Sequence, residues 1–78
     1  MTAKPRFFRP STTHPNNPAV INIELIGFVR LRDWLDCGGE LEILLTNKKP
    51  ASVFYASLHE AEDDLKVLTR LIRDYDNS

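Results

Sequence analysis

The stretch ASVFYASLHEAEDDL, residues 51–65, decides the fold, because a strand pattern passes directly into a helix start within it. Its first half is rich in β-branched and aromatic residues, which favour a strand. Ser57 is followed three positions later by Glu60, the spacing of a capping box. In that motif the hydroxyl and the carboxylate satisfy backbone N–H groups at a helix N-terminus. We therefore expect a strand that leads straight into a helix near residue 57.

Downstream of this start, apolar residues recur at alternating steps of three and four, which predicts one buried stripe along a helix reaching about Tyr75. The stripe consists of Leu58, Ala61, Leu65, Leu68, Ile72 and Tyr75. Val67 and Leu71 lie beside it and widen the apolar arc to about half the circumference, against about 100° for a typical surface helix. We expect this flank to need a further cover.

Upstream, two more stretches alternate between apolar and polar residues, VINIELIGFVRLRDW at 20–34 and ELEILLT at 40–46, as strands with one buried face do. The turn segments DCGG and NKKP separate them from each other and from residues 51–56. Gly27 suggests a bulge or a bend, so residues 20–33 form either one bent strand or two. The parity places Ile26, Phe28 and Leu44 on the outer face.

The predicted fold is therefore α+β: a three-stranded antiparallel β-meander followed by one C-terminal amphipathic helix packed on the sheet, with an extended N-terminal arm. Residues 1–18 hold four of the five prolines, three bases and no acid, whereas residues 19–78 hold seven bases and eleven acids. Proline disfavours helices and central strands. We interpret residues 1–18 as an extended, flexible, basic arm and residues 19–78 as a single small domain.

Within the arm, the segment KPRFFRP at 4–10 places Phe7 and Phe8 between bases and prolines. One interpretation is that the arm folds back and covers the outer face of the sheet, with its bases against the acidic body. The other is that it is a linear recognition peptide, which becomes ordered only in the groove of a partner. The two are compatible in a dimer whose arms cross over.

Composition argues against several classes of protein. No apolar run is long enough to span a membrane and no signal-peptide core is present, so we expect a cytoplasmic protein without a membrane partner. A single cysteine, Cys37, rules out a disulfide framework and fits an inert turn residue. His14 and His59 lack ligand spacing, so we expect no metal and no cofactor. No nucleophile with a base is apparent, and we do not expect an enzyme.

The favoured function is a non-catalytic protein-interaction or adaptor module that self-associates, with a dimer as the expected state. The reason is that one helix and one sheet cannot mutually cover all the apolar surface of this chain. The residues expected to bind a protein partner of unknown identity are Arg6, Phe7, Phe8, Arg9, Phe28, Trp34, Val67 and Leu71.

Two alternatives stay open. A nucleic-acid-binding accessory protein would use aromatic stacking beside the bases Lys4, Arg30, Arg32, Lys48 and Lys49, although a pI of about 6.1 argues against it. A small acidic inhibitor would dock on the basic, nucleic-acid-binding surface of a target through Glu60, Glu62, Asp63 and Asp64. Asp64 falls inside the apolar stripe, and we expect the helix end or a strand arginine to compensate its charge.

Overall fold

The computed structural model describes residues 6–12, 15–46 and 48–77, so the predictions that involve Lys4 and His14 lie outside the described residues. The strands and the α-helix are β1 (Phe7–Phe8), β2 (Ile21–Asn22), β3 (Ile26–Asp33), β4 (Gly39–Leu45), β5 (Ala51–Tyr55) and α1 (Leu58–Asp76). Short 3-10 helices span Ile23–Leu25 and Leu35–Cys37.

The main sheet is antiparallel in the order β3-β4-β5, and α1 packs on one of its faces. This confirms the predicted meander with a C-terminal helix. Leu41 and Ile43 of β4, Val53 of β5 and Leu68 of α1 are fully buried between the two layers. The helix begins close to the sheet, since a Cβ on Gly39 would lie 3.0 Å from the Cβ of Ala61.

A bulge at Gly27 changes which side chains of β3 face the core. The register of β3 against β4 shifts between Ile26, which pairs with Leu45, and Phe28, which pairs with Leu44. The extra residue turns Ile26 inward, where it packs against the core, so the prediction that it lies on the outer face is wrong. Of the two predicted possibilities for residues 20–33, the structure has two strands rather than one bent strand. The 3-10 helix at Ile23–Leu25 joins β2 to β3.

The capping box at the start of α1 is present, because Ser57 Oγ accepts a hydrogen bond from the backbone N–H of Glu60 at 3.2 Å. The predicted stripe faces the sheet. Leu71 also packs against the core, so Val67, at 48% exposure, is the part of the predicted flank that stays open. The chain thus covers more of this flank than the sequence suggested.

The described part of the arm folds back onto the body. Phe8 is completely buried in the core with Ile21 and Ile23, and β1 pairs antiparallel with β2. Arg6 and Arg9 are exposed, and neither has an ion-pair partner among the described residues. Phe8 therefore lies in the core on the α1 side of the sheet, so the expectation that the arm covers the outer face is wrong for this residue. Burial of Phe8 holds the arm, rather than the expected attraction between its bases and the acidic body.

Candidate functional site

The face of the main sheet that points away from α1 is referred to as the outer face. Side chains directly opposite each other in an antiparallel sheet share a face, so the register defines its members. They are Phe28, Arg30 and Arg32 of β3, Glu40, Glu42 and Leu44 of β4, and Ser52 and Phe54 of β5.

Large aromatic side chains dominate the exposed apolar area of this face. Phe28 is 53% exposed and Phe54 38%, and Trp34, just beyond the end of β3, is 46% exposed. The indole N–H of Trp34 donates to Glu40 Oε1 at 2.8 Å, and Glu40 itself is only 5% exposed. The hydrogen bond holds the indole in one orientation at the edge of the outer face.

Two arginines of the outer face share one carboxylate. Arg30 and Arg32 approach Glu42 at 3.6 and 3.5 Å, longer than the 2.7–2.9 Å of strong charge-assisted bonds. Arg32 Nε is buried and has no hydrogen-bond partner among the described residues. Each guanidinium carries five N–H donors, so both retain donors for an added acceptor.

The arginines and the tryptophan meet in a surface hollow. Arg30, Arg32, Asp33 and Trp34 line an open space of about 330 Å³ at the β3 side of the outer face. Its walls combine a flat aromatic ring and two cationic side chains with one carboxylate, that of Asp33, whose Oδ1 accepts the N–H of Leu35. Such a hollow suits a ligand that brings carboxylates or phosphates together with an apolar group.

The turn between β3 and β4 presents one more apolar side chain. Leu35 is 82% exposed and has a positive φ of 56°, although leucine avoids the left-handed region by about 1–2 kcal/mol. Its backbone N–H donates a hydrogen bond to Asp33 Oδ1 at 2.8 Å. Strain held at an exposed apolar residue is typical of sites where the backbone conformation serves a contact.

Protein-family models, curated proteins and solved structures contain no match to this chain.

The predicted protein-binding residues separate into distinct places. Phe28 and Trp34 lie on the outer-face side of the sheet, at opposite ends of β3 and about 20 Å apart. Val67 and Leu71 belong to α1, which packs on the opposite face. Phe8 is fully buried, so it is not available to a partner in the folded chain, while Phe7 is 54% exposed. The sequence grouped these residues as one binding set, and the fold divides them.

The candidate nucleic-acid residues also divide. Arg30 and Arg32 line the hollow described above. Lys48 and Lys49 are exposed in the connection between β4 and β5, beyond the end of β4 that carries Leu45.

The prediction of an acidic docking cluster is wrong for Asp64, because this side chain is buried. Asp64 is 5% exposed, and its Oδ2 accepts hydrogen bonds from the hydroxyl of Tyr55 at 2.6 Å and the backbone N–H of Ser11 at 2.8 Å. These bonds, rather than a strand arginine or the helix end, compensate the charge. Burial, reinforced by the bond to Asp64, raises the pKa of Tyr55 far above its usual value. Glu60 and Asp63 are exposed, and Asp63 lies 3.4 Å from His59.

Sequence reasoning did not select Phe54, Leu35 or Asn17. Phe54 alternates with Val53 and Tyr55 along a strand, so parity could have placed it on the outer face. Asn17 closes the far edge of β5: its Nδ2 donates to Phe54 O at 3.0 Å and its Oδ1 accepts from Phe54 N–H at 2.8 Å. The contacts of Leu35 and Asn17 depend on tertiary structure and have no local sequence signal.

Three further observations concern the described residues alone. They contain no group of three or more His, Cys, Asp or Glu that could hold a metal ion. Within the same ranges, no helix has the length and apolar character needed to cross a bilayer. Cys37 is an exposed free thiol in the 3-10 helix that follows β3.

Proposed function

We propose that this protein is a non-catalytic interaction module that binds another protein through the outer face of its sheet. The observation that carries the proposal is the one-sided cover of that sheet. Helix α1 packs on the inner face, while Phe28, Trp34 and Phe54 stay exposed on or beside the other face. Large exposed aromatic side chains distributed over one side of a small domain favour an interaction surface, whereas a single one would be ordinary.

The residue types of the outer face are those that dominate binding energy in protein interfaces. Trp, Tyr and Arg are enriched at hot spots, and a fixed aromatic ring loses little entropy on binding. Trp34 is fixed by its bond to Glu40, and Arg30 and Arg32 flank it with unused donors. The exposed Leu35 extends this surface at the adjacent turn.

Paired variants test the proposal. Phe28→Ser with Trp34→Ala removes two aromatic anchors, and Val67→Ser is the matched control because Val67 is similarly exposed but lies on α1. In affinity capture from the native source, we expect the wild type and the control to recover the same partner and the double variant to lose it. Equal recovery by all three proteins would contradict the proposal.

Self-association belongs to the same proposal, since a face-to-face dimer would bury the aromatic side chains of both copies. Sedimentation velocity over micromolar concentrations measures it, and we expect the double variant to shift the protein toward monomer. A wild type that stays monomeric at all concentrations removes the dimer but leaves binding to a different protein. We further propose that the module acts in the cytoplasm.

A nucleic-acid function is the second candidate, favoured by the position of Trp34 beside Arg30 and Arg32. A base could stack on the indole while a phosphate meets the guanidinium groups. Titration with single-stranded and duplex oligonucleotides at two salt concentrations tests it, because phosphate contacts weaken as salt rises. Salt-sensitive binding that Arg30→Gln abolishes would favour this candidate over protein binding.

A further inference from the structure

The two edges of the main sheet differ. The outer edge of β5 is engaged by the side-chain amide of Asn17, which takes up both the N–H and the C=O of Phe54. β3 is the other edge strand, and no backbone hydrogen bond among the described residues joins its outer side. An edge strand with free N–H and C=O groups is a template for pairing with another extended chain.

The direction of the free groups along β3 follows from its ladder with β4. Trp34 N–H donates to Gly38 O at 3.0 Å where the hairpin closes. Ladder bonds alternate along an antiparallel pair, so Arg32 and Arg30 direct their backbone groups toward β4 as well. Val29 and Leu31 therefore present N–H and C=O groups at the open edge.

A second copy of β3 does not fit this edge well. Pairing around Leu31 uses the regular part of the strand but sets Arg30 of each copy directly opposite Arg32 of the other, and like charges in that position are destabilising. Pairing around Val29 avoids this contact but brings Gly27 opposite Leu31, where the bulge interrupts the ladder. The arginines thus act against self-pairing and favour a strand of opposite charge.

We propose that the open edge of β3 accepts an extended acidic segment of a partner protein as a fourth strand, whose outward carboxylates bind Arg30 and Arg32. The added strand would also cover Val29 and Leu31, which the sheet leaves half-buried at this edge. The inference rests on the proposed function and names the chemistry of the partner.

A pair of synthetic peptides tests the proposal. One is a capped peptide about eight residues long that alternates Val and Glu, and the other carries Lys in place of Glu. Amide hydrogen exchange of the full chain is followed by NMR with and without peptide. In the free protein we expect the amides of Arg30 and Arg32 to be protected and those of Val29 and Leu31 to exchange rapidly. Saturating Glu peptide should slow exchange at Val29 and Leu31 by about tenfold or more, while the Lys peptide leaves it unchanged.

Charge variants provide the second test. Arg30→Gln with Arg32→Gln should weaken binding of the Glu peptide by about tenfold or more. Lys48→Gln with Lys49→Gln removes the same charge from an exposed turn and should retain the wild-type affinity. Equal loss in both pairs would show general electrostatic attraction and overturn the proposal. The exchange measurement uses wild-type protein, so it holds even if the arginine variant folds poorly.

The outcomes separate this inference from the function on which it rests. If the Glu peptide shifts the resonances of Phe28 and Trp34 without slowing exchange at Val29 and Leu31, strand addition is wrong while binding through the outer face stands. Absence of binding by the Glu peptide overturns the acidic-strand proposal. A single-stranded oligonucleotide that displaces the peptide and binds more tightly overturns it in favour of nucleic acid.

Discussion

The hydroxyl of Tyr55 donates to Asp64 Oδ2 at 2.6 Å in the interior of the protein. The same oxygen accepts the backbone N–H of Ser11 at 2.8 Å. One carboxylate therefore joins β5, α1 and the N-terminal arm. Burying a carboxylate is expensive unless it is hydrogen-bonded, so these two donors are what allow Asp64 to lie within an apolar stripe.

Tyr55→Phe should change the alkaline stability of the protein. The folded-state pKa of Tyr55 is raised by burial and by its bond to Asp64, whereas an unfolded tyrosine titrates near pH 10. The stability that the hydroxyl contributes is therefore fully present below about pH 10 and is lost as the pH rises further, by at most about 1.4 kcal/mol per pH unit. The variant should be less stable by about 1.5–3 kcal/mol at pH 7. The difference should narrow above pH 10.

Urea denaturation from pH 7 to pH 11 measures this effect, and Tyr75→Phe on α1 is the control. We expect the control to retain the alkaline loss of stability that the wild type shows. A constant difference between wild type and Tyr55→Phe at every pH would contradict the assignment.

Phe8→Ala and Phe7→Ala form a matched pair across one peptide bond. Phe8 is fully buried, so its truncation should cost about 3–5 kcal/mol through lost burial and a cavity. Phe7 is more than half exposed, and its truncation should change the free energy of unfolding by about 0.5 kcal/mol or less. Chemical denaturation measures both. Equal, small effects would show that the arm is not docked in solution.

Leu35→Gly should stabilise the protein while weakening the binding that we propose. Glycine adopts a positive φ without the Cβ clash, so the substitution should add about 0.5–1 kcal/mol to the free energy of unfolding. The apolar side chain, exposed beside Trp34, is lost at the same time. Thermal unfolding and partner affinity measured on the same variant check both parts, and a destabilised variant would contradict the backbone conformation.

Asn17→Ala should remove the contact that covers the outer edge of β5. It removes two hydrogen bonds to Phe54, worth about 0.5–1.5 kcal/mol each, and leaves an edge open to other chains. Asn17→Asp is the graded control, since it keeps an acceptor for Phe54 N–H but loses the donor. Light scattering should therefore rank the variants in aggregation from Ala through Asp to wild type. Identical scattering of all three would argue against an edge-closing role.

Local patterns in the sequence predicted the elements of this fold because those elements depend on neighbours along the chain. The capping box at Ser57 and the three-and-four spacing from Leu58 to Tyr75 require no tertiary information, and α1 follows them. The alternation around Leu41 and Ile43 likewise predicted which side of β4 is buried. Ile26 was assigned to the wrong face of the sheet. The sequence indicated a bulge or bend at Gly27, but it did not show how the bulge shifts the register of β3 against β4.

The candidate site was predicted less completely, because its arrangement depends on contacts between distant segments. Parity placed Phe28 and Leu44 on the outer face, and the register pairs these two residues there. Nothing local indicated that Asp64 would be compensated by Tyr55, nine residues upstream, and by Ser11 of the arm. Gly38 of the same turn adopts a positive φ of 98°, as glycine ordinarily does, but no local signal indicated the second positive φ at Leu35.

The amide of Asn17 has a consequence for stoichiometry. A sheet with two receptive margins can grow in both directions, and successive copies or ligands can then build a filament. Here one margin is terminated by a side chain of the same molecule. Recruitment at β3 would therefore be monovalent, so that each molecule captures a single strand and the assembly ends there.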